Sequence, residues 1–239
     1  MTLPDQVGGG SISVDRRSLR LSIDEEPAGT RLQASFPDFE ADLLVRRPDG
    51  HQSLSVVIPW SAKRFQFTNK DVARPADGFV SWRGRTYRFT SDGSSWGALD
   101  FGRGKWPYRT RWNWGAGAGK VGSSAVGLQL GGKWTVGTGM TENALYVDGV
   151  ITKISEELEW TYDRSDWLRP WSIRTPGSDR VDLTFSPVYD KRSRLKLGVA
   201  SSSVDQCFGT YEGTIVPEDG RRLEIGGLFG WAEEATWRW

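Results

Sequence analysis

Cysteine and histidine are almost missing from this 239-residue sequence, which has one of each, Cys207 and His51. A single thiol excludes an intrachain disulfide and a cysteine zinc cluster, and a single imidazole excludes a metal site built from several histidines. Net charge is nearly missing too, since 31 Lys and Arg stand against 30 Asp and Glu, a formal +1. No overall field recruits nucleic acid, an acidic membrane or a polyanionic substrate, so no nucleic-acid partner is expected. No 18 apolar residues run together, and Met1-Thr2-Leu3-Pro4-Asp5-Gln6-Val7 has neither the basic nor the apolar region of a signal peptide. These absences predict no membrane span and, with the lone thiol, a soluble cytoplasmic protein. No residue set implies a cofactor or a metal. The chemistry left open uses carboxylates, Arg, Lys, Tyr, hydroxyls and backbone.

Helical periodicity is also scarce, with Glu156-Glu157-Leu158-Glu159 the one short run of good helix formers. Strand signals fill the space. Asp42-Leu43-Leu44-Val45-Arg46 and Ser53-Leu54-Ser55-Val56-Val57-Ile58 flank Pro48-Asp49-Gly50, which predicts a hairpin. The same grammar recurs around Arg83-Gly84, Asp148-Gly149 and Glu218-Asp219-Gly220. Alternation in Val181-Asp182-Leu183-Thr184-Phe185 and Leu223-Glu224-Ile225 marks half-buried strands. The expected fold is all-β, an antiparallel barrel or sandwich with hairpin connections and little helix. Residues 1–105 read as an N-terminal β half and residues 106–239 as a C-terminal β-barrel half rich in Trp and Gly. Exposed edges of an open barrel allow pairing between chains, so a homodimer is compatible with this reading.

From Lys63 to Arg111 the chain has 11 basic and four acidic residues. Arginines on the outer faces of strands explain this as edge protection, and an anion pocket for a carboxylate or phosphate explains it as function. Other motifs are turn chemistry. Gly117-Ala118-Gly119-Lys120-Val121-Gly122 fits G-x-G-x-x-G but leads into Val126-Gly127-Leu128-Gln129-Leu130, not a helix. Asp100-Phe101-Gly102 lacks the His-Arg-Asp loop that a kinase would need. Glu156, Glu157, Glu159, Asp163, Asp166, Glu233 and Glu234 read as solvated, and Cys207 as a small buried hydrophobe.

Tryptophan and glycine are abundant instead, with 13 Trp and 29 Gly, where about 7% Gly usage would give roughly 17. Both concentrate between Ala98 and Asp148. There, Asp100, Arg103, Trp106, Trp112, Asn113, Trp114 and Trp134 are set among glycines, and Glu142 and Asn143 follow in a stretch of small and apolar neighbours. Glycine lets backbone approach a flat group closely, while Trp offers an apolar wall with one N–H. Inside a barrel, Glu142 would be desolvated, its pKa raised, and it would donate a proton near neutral pH. A structural reading stands beside this one: Glu142 and Asn143 tie down the Gly-rich loop while Trp112 and Trp114 fill the barrel.

Pro59-Trp60-Ser61, Arg64-Phe65-Gln66-Phe67-Thr68, Asp100-Phe101-Gly102-Arg103-Gly104, Trp112-Asn113-Trp114-Gly115, Thr141-Glu142-Asn143-Ala144, Asp148-Gly149, Pro170-Trp171, Gln206-Cys207-Phe208-Gly209 and Trp237-Arg238-Trp239 together resemble the bacterial "domain of unknown function 2804" family. The resemblance implies a truncated or short member, since members usually carry a further N-terminal segment rich in Trp, Arg and Lys. More remotely the pattern is similar to lipocalin-like carotenoid hydratases, isomerases and cyclases, which implies barrel-like halves around an apolar pocket.

The leading expectation is an enzyme performing hydration, isomerisation or cyclisation on an apolar unsaturated small molecule. Glu142 and Asp100 are the acid/base candidates, with Trp106, Trp112, Trp114 and Trp134 as walls, Arg103 on a polar end, and Asn113, Asn143 and Gln206 as further ligand contacts. Indole faces attract cations by up to roughly 2 kcal/mol each when desolvated. Two other readings are a hydrophobic-ligand carrier without chemistry and a carbohydrate-binding or glycoside-cleaving protein, since Trp platforms with paired carboxyls also suit sugars.

Overall fold

The computed structural model describes residues 7–217 and 219–238. Residues 1–6, Glu218 of the fourth expected turn and the closing Trp239 lie outside the described residues. Among those described, all regular structure is strand, in two antiparallel sheets, as the alternation predicts. The first sheet contains β1 (Ser11–Arg16), β2 (Leu19–Glu26), β3 (Gly29–Phe36), β4 (Phe39–Arg46), β5 (Leu54–Ser61), β6 (Arg64–Trp82), β7 (Arg85–Phe89) and β8 (Trp96–Gly104). The second contains β9 (Arg109–Val121), β10 (Ser124–Gly132), β11 (Asn143–Val147), β12 (Val150–Ile154), β13 (Glu159–Thr161), β14 (Trp171–Arg174), β15 (Val181–Leu197), β16 (Ala200–Ile215) and β17 (Leu223–Arg238). Its order is β12-β11-β10-β9-β17-β16-β15-β14-β13. No described helix is long and apolar enough to cross a membrane.

Two expected hairpins close on left-handed residue pairs, Arg83-Gly84 at φ 49° and 77° and Asp148-Gly149 at φ 49° and 81°. These are the angles a two-residue hairpin turn needs. The hairpin expected around Pro48-Asp49-Gly50 does not form. Instead β6 lies between β4 and β5: Lys70 pairs with Leu54, and Ala76 pairs with Val45. The chain bends between these halves at Ala73, whose φ is 57°. Arg74, fully buried, fastens the bend by donating to the carbonyls of Val45 and Arg46. Lys70 and Arg74 are therefore interior, which corrects the edge-protection reading of the basic stretch at these two positions.

Strands from both ends of the second sheet share one core. Leu128 and Leu130 of β10 meet Trp171 and Ile173 of β14, Phe185 of β15 and Tyr211 of β16, so the sheet curls onto itself. A Cβ on Gly115 or Gly117 of β9 would stand 2.4 Å or 2.9 Å from the Tyr211 ring system and its hydroxyl. The G-x-G-x-x-G stretch is thus the strand floor under a tyrosine. Cys207 is buried in the same core, where its thiol points at the Trp167 carbonyl and burial pushes its pKa up to about 12. Trp112 does not fill this interior, contrary to the structural expectation. It belongs to a second cluster in which Leu54, Val56, Ile58 and Val72 of the first sheet pack on Ala116, Ala144 and Tyr146 of the second.

Candidate functional site

Period-two alternation builds the site on facing surfaces of the two sheets. On β6 and β8, the pairs Gln66–Gly104, Thr68–Gly102 and Lys70–Asp100 point one way, while Phe67 and Arg103 point the other. Gln66 lies across the two glycines, since a Cβ on Gly104 would stand 2.4 Å from its Oε1. On the second sheet, Gln206 of β16 pairs with Glu233 of β17, which pairs with Trp114 of β9, which pairs with Gly131 of β10. Gly131 has no side chain because Glu142 covers it, and a Cβ there would come within 2.9 Å of the Glu142 Cβ.

Between these surfaces lies a cavity of about 310 Å³ lined by Gln66, Thr68, Lys70, Asp100, Trp106, Trp112, Trp114, Trp134, Glu142, Glu233 and Trp237, among others. The indoles form a chain, with ring centroids 5.5 Å apart for Trp106–Trp134, 5.8 Å for Trp106–Trp112 and 5.7 Å for Trp112–Trp237. Glu142 is 3% exposed. Its Oε1 accepts from the Thr68 hydroxyl at 2.5 Å and its Oε2 from Trp134 Nε1 at 3.4 Å. Burial raises its pKa, with the Lys70 ammonium and the Thr68 hydroxyl pulling the other way. Glu233 is a second dry carboxyl, accepting from Trp112 Nε1 and Gln206 Nε2 at 2.9 Å each. Burial raises its pKa as well, again opposed by Trp112, Lys70 and Gln206. Lys70 Nζ sits 2.9 Å from Asp100 Oδ1 and 3.9 Å from the centre of the Trp114 ring. The cavity thus holds an ion pair, a cation on an indole face and two carboxyls that burial shifts toward the neutral form.

A larger cavity of about 600 Å³ also lies between the sheets, lined by residues such as Leu43, Val72, Ala73, Trp96, Ala116, Ala118, Phe208, Phe229 and Trp231, with no titratable side chain. Trp114 in the wall of the first cavity and Trp231 in the wall of the second stand edge to face, 5.1 Å apart. Strand β6 serves both, with Lys70 before its bend and Val72 and Ala73 at it.

Of the residues singled out in the sequence, Asp100, Trp106, Trp112, Trp114, Trp134 and Glu142 meet around the small cavity, and Gln206 reaches it through Glu233. Three lie elsewhere. Arg103 is exposed on the outer face of β8. Asn113 donates to the Tyr162 hydroxyl at 3.2 Å and the Glu233 carbonyl at 3.0 Å. Asn143 accepts from the Gly131 N–H at 2.6 Å and donates to the Glu156 carbonyl at 3.0 Å. Sequence reasoning missed Gln66, Thr68, Lys70, Glu233 and Trp237. Alternation in Phe65-Gln66-Phe67-Thr68 carried a usable signal, because a strand with aromatic residues on one face and polar ones on the other says only that one face is buried. Here the polar face is the covered one. Glu233 corrects the solvated reading directly, being 6% exposed. Among the described residues no group of His, Cys, Asp and Glu could hold a metal ion.

No curated protein matches this chain. Among solved structures it is similar to two crystal structures of CghA, one of them with Sch210972. The complex is 16% identical and the other structure 14%, each with a TM-score of 0.42 and covering 100% of this chain and 73% of that one. A model of the domain of unknown function DUF2804 matches residues 1–239, and the chain belongs to that family.

Proposed function

We propose that the chain binds an apolar, unsaturated small molecule between its sheets and performs acid/base chemistry on it, a hydration, isomerisation or cyclisation. The observation that carries this reading is Glu142, a dry carboxyl held by Thr68 and Trp134 in a cavity walled by indoles. Burial shifts this carboxyl toward its neutral form, and a neutral carboxylic acid is a proton donor rather than an ion-pair partner. Glu142 gives its proton to one carbon of a double bond, and the positive charge that develops on the neighbouring carbon lies against Trp faces. Loss of a proton from the next carbon completes an isomerisation or cyclisation, and capture of water followed by loss of its proton completes a hydration. Glu233, the second buried carboxyl, receives that proton once it is ionised, or the Glu142 carboxylate takes it back. Asp100 neutralises Lys70 and holds it on Trp114, so the pair adds little net charge beside the reacting carbon. The uncharged 600 Å³ cavity beyond Trp231 takes the apolar remainder of the substrate.

The test is carbon protonation in D2O. Candidate apolar, isoprenoid-like and sugar ligands are first screened by quenching of Trp emission, and those that bind are incubated with the protein and examined by mass spectrometry. Deuterium gain or product formation is expected with the wild-type chain, and a drop of about 10²–10⁴-fold, the usual worth of a general acid, in Glu142→Gln. Equal turnover in that variant sinks the assignment. Tight binding with no deuterium gain makes the protein a carrier, and binding of sugars alone favours the carbohydrate reading.

A further inference from the structure

A third cleft, about 550 Å³, opens beside the site and is lined by Trp60, Arg109, Arg111, Lys133 and Trp134 with few other residues. Trp134 belongs to both places, since it also lines the small cavity and donates to Glu142. Two of these cations, Arg111 and Lys133, face Glu234, which is 8% exposed. Both its oxygens accept from Arg111 Nη2, at 2.9 Å and 3.0 Å, and its Oε2 also from Lys133 Nζ at 2.6 Å, Arg164 Nη2 at 2.8 Å and the Tyr162 hydroxyl. One carboxylate therefore answers three cations and leaves positive charge in excess. Arg109 adds a fourth cation with no acidic partner among the described residues. Lys133 is held at φ 70°, a left-handed conformation that strains a residue with a Cβ and that Gly would adopt freely. Its ammonium is what a glycine would not supply.

We infer that this cleft binds an anionic group, a carboxylate or a phosphate, on the molecule whose reacting part lies beside Glu142. Guanidinium groups match both anions through paired N–H donors, and Trp60 and Trp134 cover the apolar portion next to the charge. The inference rests on the proposed function in placing the rest of the ligand in the groove. It also accounts for part of the basic excess between Lys63 and Arg111.

Three probes with one tail separate the two ideas: octanol, octanoate and octyl phosphate, titrated calorimetrically at low and high salt. The wild-type chain is expected to bind at least one anionic probe about tenfold or more tighter than octanol, with the advantage shrinking as salt rises. Arg109→Gln, at an exposed position without an acidic partner, and Lys133→Asn, which tolerates the left-handed backbone, are expected to erase that advantage and leave octanol binding unchanged. Whichever of octanoate and octyl phosphate is preferred names the anion. Equal affinity for all three probes overturns the inference while leaving the apolar groove intact, as does a preference that survives both substitutions. Anion binding that depends on Arg109 without any octanol binding supports the cleft and overturns the groove.

Discussion

A carboxyl group costs most when it is both charged and dry, and burial shifts Glu142 toward keeping its proton. The linkage follows from the sign of the shift. Its folded pKa lies above the unfolded one, so the native state holds the extra proton between the two values. The stabilisation is whole below the ordinary carboxylate pKa and is lost as pH rises through the folded value. Glutamine mimics the neutral form at every pH. The Tm of Glu142→Gln minus that of wild type is therefore expected to grow from pH 5 to pH 8, each kcal/mol appearing as about 2–4 °C in a chain of this length. Scanning calorimetry at both pH values checks this, and a difference that stays flat would show that Glu142 is charged in the native state. Glu233 is expected to behave in the same direction, for the same cause. The two residues differ in legibility. Glu142 stood out because small and apolar residues surround it in sequence, whereas Glu233 has Glu234 beside it, and two adjacent acids read as solvent-facing. In the structure they point to opposite faces of β17, each buried against its own donors.

At the scale of elements, the bend in β6 lets one strand line both the polar cavity and the apolar one, and it is held by contact with β10. The methyl of Ala73 occupies the space a side chain on Gly127 would need, since a Cβ there would meet the Ala73 Cβ at 2.6 Å and those of neighbouring Tyr146 at 3.3 Å. Gly127→Ala is thus expected to destabilise by about 1–3 kcal/mol, the usual cost of overpacking. Ala73→Gly alone is expected to be close to neutral, because release from the left-handed φ offsets the lost methyl and the freer unfolded chain. The double substitution is expected to recover most of the loss. Additive costs in denaturant titrations would place the clash elsewhere. The hairpin at Pro48-Asp49-Gly50 fails because β6 pairs with both β4 and β5 and lies between them. Turn chemistry and β-branched runs locate strands well but carry no information about a later strand inserted between them. The inserted strand is recognised only through tertiary facts, Arg74 bonded to the end of β4 and Ala73 seated on Gly127. The short hairpins were legible because everything that fixes them lies in two residues.

For the molecule as a whole, the two hydrophobic clusters are unequal in origin. The larger draws every buried member from β10 to β17 and from the segment 155–170 between them, so the curled second sheet encloses a core of its own. The smaller is shared, with Leu54, Val56, Ile58 and Val72 from one sheet against Ala116, Trp134, Ala144 and Tyr146 from the other. A stretch that buries its own apolar surface can fold alone, and one that buries it only against a neighbour cannot. Residues 106–239 expressed separately are therefore expected to unfold cooperatively, at a lower Tm than the full chain and with increased binding of a hydrophobic dye to the uncovered face around Tyr146 and Trp112. Residues 1–105 are expected to show no cooperative transition until mixed with the other half. The division itself came from composition, because Trp and Gly accumulate after Ala98; which half depends on the other is a property of packing that composition does not contain. If the halves behave in this order, the proposed ligand site between the sheets is an interface assembled last, and substitutions that loosen the sheets from one another should abolish ligand binding before they melt the second core. A cooperative transition in residues 1–105 alone, or none in residues 106–239, would reverse that order.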